Sequence, residues 1–96
     1  MSEILNKAQE MMAEKVNETG FDGSVKFDIE DTGVLRIEGG DVTLEDGESD
    51  VTILADADTL QELVSGELSP TSAFMSGRIK IEGDMGVAMK LSSLLG

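Results

Sequence analysis

Hydrophobic positions along the first stretch of the chain follow a helical period. Ile4, Leu5, Ala8, Met12 and Val16 recur at that spacing with glutamates and lysines between them, which predicts an amphipathic helix over 3–18. Gly20 supplies the stop. The period then shortens to two. Val25, Phe27 and Ile29 alternate with Lys26, Asp28 and Glu30, as in a strand with one buried face. Asp31-Thr32-Gly33 reads as a turn, and Leu35 and Ile37 continue the alternation around Arg36. Gly39-Gly40 turns the chain again before Val42 and Leu44, and Asp46-Gly47 is a hairpin signal leading into Val51–Ala55. Four short strands joined by tight turns predict an antiparallel meander, apolar on one face and acidic on the other.

A sheet with one greasy face needs a cover, and helical signals follow at once. Asp58 is placed to cap a helix from Thr59 to Ser65, with Gln61 at its third position and Gly66 ending it. Ser69-Pro70 starts a short helix that ends by Gly77. Residues 78–82, Arg-Ile-Lys-Ile-Glu, alternate as a fifth strand, and Asp84 caps a last helix from Met85 to about Leu95. The expected fold is α+β, in the order α-β-β-β-β-α-α-β-α. A five-stranded, mostly antiparallel sheet carries helices on one face, in a single domain over 1–96.

Composition narrows the chemistry. Of 96 residues, 40% are hydrophobic and 28% charged, which suits a folded domain. There are three Phe, no Trp and no Tyr, so the core must use aliphatic side chains and the six Met. No Cys or His is present. Zinc, iron–sulfur and disulfide chemistry are therefore excluded, as is histidine acid–base catalysis. No run approaches the ~20 apolar residues of a membrane span, and Glu3 and Glu10 stand where a signal peptide would be basic or apolar. A cytoplasmic monomer is the expectation. The net charge is −13, and residues 28–67 hold thirteen acids against Arg36 alone. Such acidity excludes nucleic acid as a partner. It reads as a solvated face or as a surface that docks a basic partner or enzyme. That interaction module is the alternative function.

The last helix offers more apolar surface than a sheet requires. Met85, Val87, Ala88, Met89, Leu91, Leu94 and Leu95 cover well over half its circumference, with Phe74 and Met75 just upstream. Methionine adapts to variable hydrocarbon chains, but an aromatic-poor core also needs it as filler. Residue types alone leave both readings open. Gly83-Asp84-Met85-Gly86 sits where backbone amides hold phosphates, yet Asp84 puts a negative charge there and a cap explains it. Asp56-Ala57-Asp58 and residues 45–50 invite a calcium reading. Position six after Asp56 is Gln61 and the intermediate ligands are absent, so no metal site is expected. No spacing selects a catalytic residue, no cofactor is implied, and the chain is expected not to be an enzyme.

The run from Asp58 to Pro70, then Ala73 to Gly86 and Ala88-Met89-Lys90-Leu91, resembles the sterol carrier protein type 2 family. Its specific core is F-x-x-G-[KR]-[IL]-K-[IV]-x-G-D-M, which residues 74–85 match, followed by A-M-K-L. Residues 21–57 match only as a run of strands. The resemblance implies an apolar tunnel between sheet and helices and a carrier of fatty acids, acyl-CoA esters, phospholipids or sterols. Lipid-binding candidates at matching positions are Leu63, Phe74, Met75, Met85, Ala88, Met89 and Leu91. It also implies transient membrane contact. Arg78, Lys80 or Lys90 would meet an anionic headgroup at the tunnel mouth. Because Gly96 directly follows the last helix, a bacterial-type stand-alone member is expected. Ubiquitin-like sulfur carriers and acyl carrier proteins share the size and acidity, but the Gly-Gly tail and the modifiable Asp-Ser-Leu are missing.

Overall fold

Strand alternation translates directly into a two-sided sheet. A computed structural model describes residues 3–95; Met1, Ser2 and Gly96, the ends of the expected 1–96 domain, lie outside them. The elements are α1 (Glu3–Thr19), β1 (Ser24–Ile29), β2 (Gly33–Glu38), β3 (Asp41–Thr43), β4 (Val51–Ala55), α2 (Ala57–Ser65), α3 (Pro70–Met75), β5 (Lys80–Gly83) and α4 (Met85–Leu95). Val25, Phe27, Ile29, Leu35, Ile37, Val51 and Ile53 point to one face and are buried, while Lys26, Arg36 and Thr52 point to the other.

The order of the strands corrects the expected meander. They run β3-β2-β1-β4-β5, with β4 parallel to β1 and the three other pairings antiparallel. Asp46-Gly47 therefore closes no hairpin. Residues 44–50 carry the chain across from one edge to the far side of β1. That is three strand spacings, about 14 Å, within the ~23 Å that seven extended residues span. The local hairpin signal loses because Asp46 and Glu48 are held elsewhere. The Lys26 ammonium donates to Asp46 Oδ1 at 3.1 Å and Arg36 Nε donates to the Glu48 carbonyl at 2.9 Å. Lys26 and Arg36 are cross-strand partners on the outer face, so two basic residues together anchor the acidic crossing.

Parallel register at the start of β1 and β4 is set by a reciprocal pair. The Ser24 amide donates to Asp50 Oδ2 at 3.1 Å, and the Asp50 amide donates to Ser24 Oγ at 2.8 Å. Val25 then pairs with Val51. Asp50 also accepts, through its carbonyl, from the Asp84 amide at 2.9 Å, so one residue ties together β1, β4 and the start of α4. Gly83 is required at that junction. Its φ is +112°, and a Cβ there would stand 2.5 Å from the Asp50 carbonyl oxygen.

The helices cover the apolar face. α1 lies against β2 and β3, α4 against β1, β4 and β5, and α2 packs on α1. Leu5, Ala8, Met12 and Val16 form the buried stripe of α1. α2 begins two residues earlier than expected. Its cap is Asp56, whose carboxylate accepts from the Thr59 amide at 2.7 Å, and Asp58 falls inside the first turn. β5 runs Lys80–Gly83 rather than over 78–82, because the Arg78 and Ile79 amides are directed to the Ala73 carbonyl at the end of α3. Asp84 and Ser69 cap their helices as expected: Asp84 Oδ1 accepts from Gly86 at 2.8 Å and Ser69 Oγ from Ser72 at 3.1 Å.

Candidate functional site

Two faces of α4 serve two layers. Val87, Leu91 and Leu95, spaced by four, are buried in the core with Ala88. Met85 and Met89 point outward and are 50% and 71% exposed. Across from them α3 presents Phe74, 48% exposed, and β5 presents the inner side of Ile81. Between these elements lies a groove of about 180 Å³ lined by Pro70, Thr71, Phe74, Ile81, Met85, Ala88, Met89 and Ser92. Its wall is almost entirely apolar. At the rim, the Thr71 and Ser92 hydroxyls stand 3.5 Å apart.

Four of the seven candidates thus come together: Phe74, Met85, Ala88 and Met89. Leu63 and Leu91 do not reach the groove. They are buried in the layer between sheet and helices, beside Phe27, Ile53 and Leu60. Met75 is 81% exposed and does not line the groove. The tunnel implied between the layers takes the form of an open groove at the layer's edge, since these core side chains fill the space between. Pro70, Thr71, Ile81 and Ser92 were not singled out from the sequence. A signal for three of them existed: 85, 88, 89 and 92 lie on one helical face, as do 70, 71 and 74.

None of the three basic residues expected at the mouth lines the groove. Arg78 donates from one guanidinium nitrogen to Glu62 and to Thr59 Oγ1 at 3.2 Å. The hydrogen bond with Glu62 raises the Arg78 pKa and holds the Glu62 carboxyl below the usual range. Arg78 therefore clasps α2 to the segment before β5. Lys80, partner of Leu54, faces the outer side of the sheet. Lys90 stands 3.6 Å from Asp22. Asp84 occupies the amides at the start of α4, so no anion seat remains there.

Larger depressions lie elsewhere. One of about 540 Å³ on the outer side mixes Asp28, Glu30, Asp56, Arg78 and Lys80 with Leu54, Ala55, Gly77 and Ile79; another of about 570 Å³ lies between the end of α1 and α4, lined by Thr19, Gly20, Phe21, Asp22, Lys90, Ser93 and Leu94. Among the described residues no cluster of three acids is arranged to hold a metal.

The chain's likenesses bear on what a groove in this position is for. Residues 3–96 match the profile of the SCP-2 sterol transfer family. Sterol carrier protein 2 of Rattus norvegicus is 38% identical over 103 residues, covering 96% of this chain and 18% of that protein. Hydroxysteroid dehydrogenase-like protein 2 of Xenopus tropicalis is 46% identical over 48 residues, half of this chain and 12% of that one. The chain thus spans less than a fifth of the length of these relatives. Among solved structures, Sterol Carrier Protein-2 from Aedes aegypti in complex with palmitate superposes with a TM-score of 0.81 at 14% identity, covering 100% of this chain and 97% of that one. At that identity the likeness concerns the fold.

Proposed function

The chain belongs to the SCP-2 sterol transfer family, and from that premise we propose that it binds lipids through their hydrocarbon chains, starting from the groove between α3, β5 and α4. The carrying observation is the placement of the large exposed hydrophobics. In a protein of net charge −13, the exposed side chains of Phe74, Met85 and Met89 on α3 and α4 come together around this groove. A soluble fold has no structural use for such a cluster. The palmitate-bound relative of the same fold supports a fatty acyl chain as the ligand class.

Magnitudes indicate how the chain is held. At about 30 Å³ per water-sized group, 180 Å³ takes about six methylenes. Six at ~0.8 kcal/mol give roughly 5 kcal/mol, which association costs of ~4 kcal/mol or more nearly cancel. A long chain is therefore held only if α4 separates from β5 and lets the chain reach the layer of Leu63 and Leu91. Methionine at the moving wall suits this, because its unbranched side chain repacks at little cost. Recognition is of length and apolarity, without a charged group in the groove to select a head.

A series of fatty acids of increasing length, titrated while amide spectra are recorded, tests the reading. Shifts should centre on α3, β5 and α4, and each methylene should tighten binding about fourfold, from ~0.8 kcal/mol per group. Continued gain beyond about six methylenes means the groove opens. Absence of shifts with every length would sink the proposal.

A further inference from the structure

Among the described residues, three methionines stand in the open. Met12 is fully buried and Met11 partly so, both against the core, whereas Met75, Met85 and Met89 are 81%, 50% and 71% exposed. Met85 and Met89 lie one turn apart on α4 and both line the groove, while Met75 does not. The chain has no cysteine, so all its sulfur is thioether sulfur.

We propose that Met85 and Met89 form a modification site, where a hydroperoxide converts the thioethers to sulfoxides and so closes the groove to acyl chains. The inference rests on the acyl-binding reading of this groove. In the step, the sulfur lone pair forms a bond to the outer peroxide oxygen as the O–O bond breaks. The proton of that outer oxygen passes to the oxygen left behind, which departs as water or as an alcohol. Sulfur gives up the electron pair that the peroxide gains. Sulfoxide is polar where the thioether is not, and the two partners of these side chains respond differently. The fold is indifferent, because an exposed side chain keeps its new oxygen in water. The groove is not. The polar side chains among its lining residues are Thr71 and Ser92 alone, and their hydroxyls stand together at the rim. An acyl chain laid against a sulfoxide strips its water and returns no hydrogen bond. Oxidation therefore acts on binding and spares the structure. At Met12 the reverse holds, since a side chain 0% exposed meets an oxidant only when the core opens. Sulfoxide is also reversible, each epimer through its own reductase, and the exposure that admits the oxidant admits the reductase.

Limited treatment with hydrogen peroxide, followed by peptide mass and by fatty acid titration, tests this. Met75, Met85 and Met89 should gain oxygen while Met12 stays reduced and the melting temperature holds. Fatty acid binding should weaken about tenfold, from the cost of covering a polar group without a partner. The two sulfoxide reductases should restore it. Met75→Leu should lose affinity on oxidation as the parent does, because residue 75 does not line the groove. The double variant Met85→Leu, Met89→Leu, whatever its own affinity, should keep that affinity through the same treatment. A peroxidised fatty acid in place of hydrogen peroxide distinguishes the source of the oxidant. Oxidation of Met85 and Met89 ahead of the more exposed Met75 assigns it to a chain held in the groove, and Met75 first assigns it to solvent. Unchanged affinity with both groove sulfurs oxidised, or an equal loss in the double variant, would overturn the proposal. So would a loss that the reductases do not reverse, or one explained by a fall in melting temperature. A parent that binds no fatty acid before peroxide would sink the acyl reading and this one together.

Discussion

Helices α1 and α4 pack on the same sheet and divide their apolar residues in different ways. α1 puts its hydrophobic stripe inward and covers the rest with Glu, Lys and Gln. α4 buries Val87, Ala88, Leu91 and Leu95 and still has Met85 and Met89 left for the outside. Both halves of the sheet's apolar face are therefore covered, yet only one pays with exposed apolar surface. Methionine makes the contrast explicit. Met12 is 0% exposed in α1, and Met89 is 71% exposed in α4. The same residue type serves packing in one helix and availability in the other, so α1 is explained by folding and α4 is not explained by folding alone.

The largest expected effect separates these two methionines. Met12→Ala should cost about 2–5 kcal/mol of stability, the range for emptying a packed core position. Met89→Ala should stay within about 0.5 kcal/mol. Paired thermal or urea denaturation of the two variants checks this, and similar losses would erase the contrast. Next in size is Gly83→Ala at the head of α4. The added methyl meets the Asp50 carbonyl at a positive φ, and the strain should cost roughly 1–3 kcal/mol. Hydrogen exchange should show the loss of protection concentrated in β5 and α4 and leave α1 protected.

Met89→Glu sharpens the comparison on the functional side. A carboxylate at the groove wall should weaken fatty acid binding about tenfold, equivalent to ~1.4 kcal/mol, with an unchanged melting temperature. Lys7→Glu on the exposed side of α1 should change neither. The smallest effect concerns Asp56, which caps the helix packed on α1. Asp56→Ala should cost ~1 kcal/mol at neutral pH. The Thr59 amide and hydroxyl hold the Asp56 carboxyl below its usual range. A depressed folded-state pKa means this contribution is present above the unfolded value near pH 4 and is lost as pH falls through the folded one. The gap between the parent and Asp56→Ala should therefore close on acidification below about pH 4, as urea titrations at stepped pH would show.

Much of this was legible in the chain. Strand alternation in 25–29, 33–38 and 51–55 identified the buried face, and the Ser69 and Asp84 caps located α3 and α4. Phe74, Met85, Ala88 and Met89 were singled out and do meet in the groove. What was not legible depends on remote partners. The Asp46-Gly47 pair carries a hairpin signal, and nothing nearby in the sequence announces that Lys26 on β1 and Arg36 on β2 will hold Asp46 and the Glu48 carbonyl instead. Asp58 directly precedes the expected helix and reads as its cap, and that Asp56 caps instead depends on which carboxylate the folded backbone brings to the Thr59 amide. Arg78 was read as a headgroup contact because its partner Glu62, sixteen residues earlier, is unremarkable as a sequence neighbour.

By itself the sequence determined the elements, the face each buries and the family to which the chain belongs. Those depend on side-chain period, capping chemistry and a dense local motif, all of which act over a few residues. Tertiary structure alone decided that β4 lies parallel beside β1, that Leu63 and Leu91 are packed while Met75 stands free, and that the basic residues turn away from the groove. The reason is physical: a period tells a side chain which face of its own element it occupies. Only the packing of other elements against that face decides whether it is core, wall or surface.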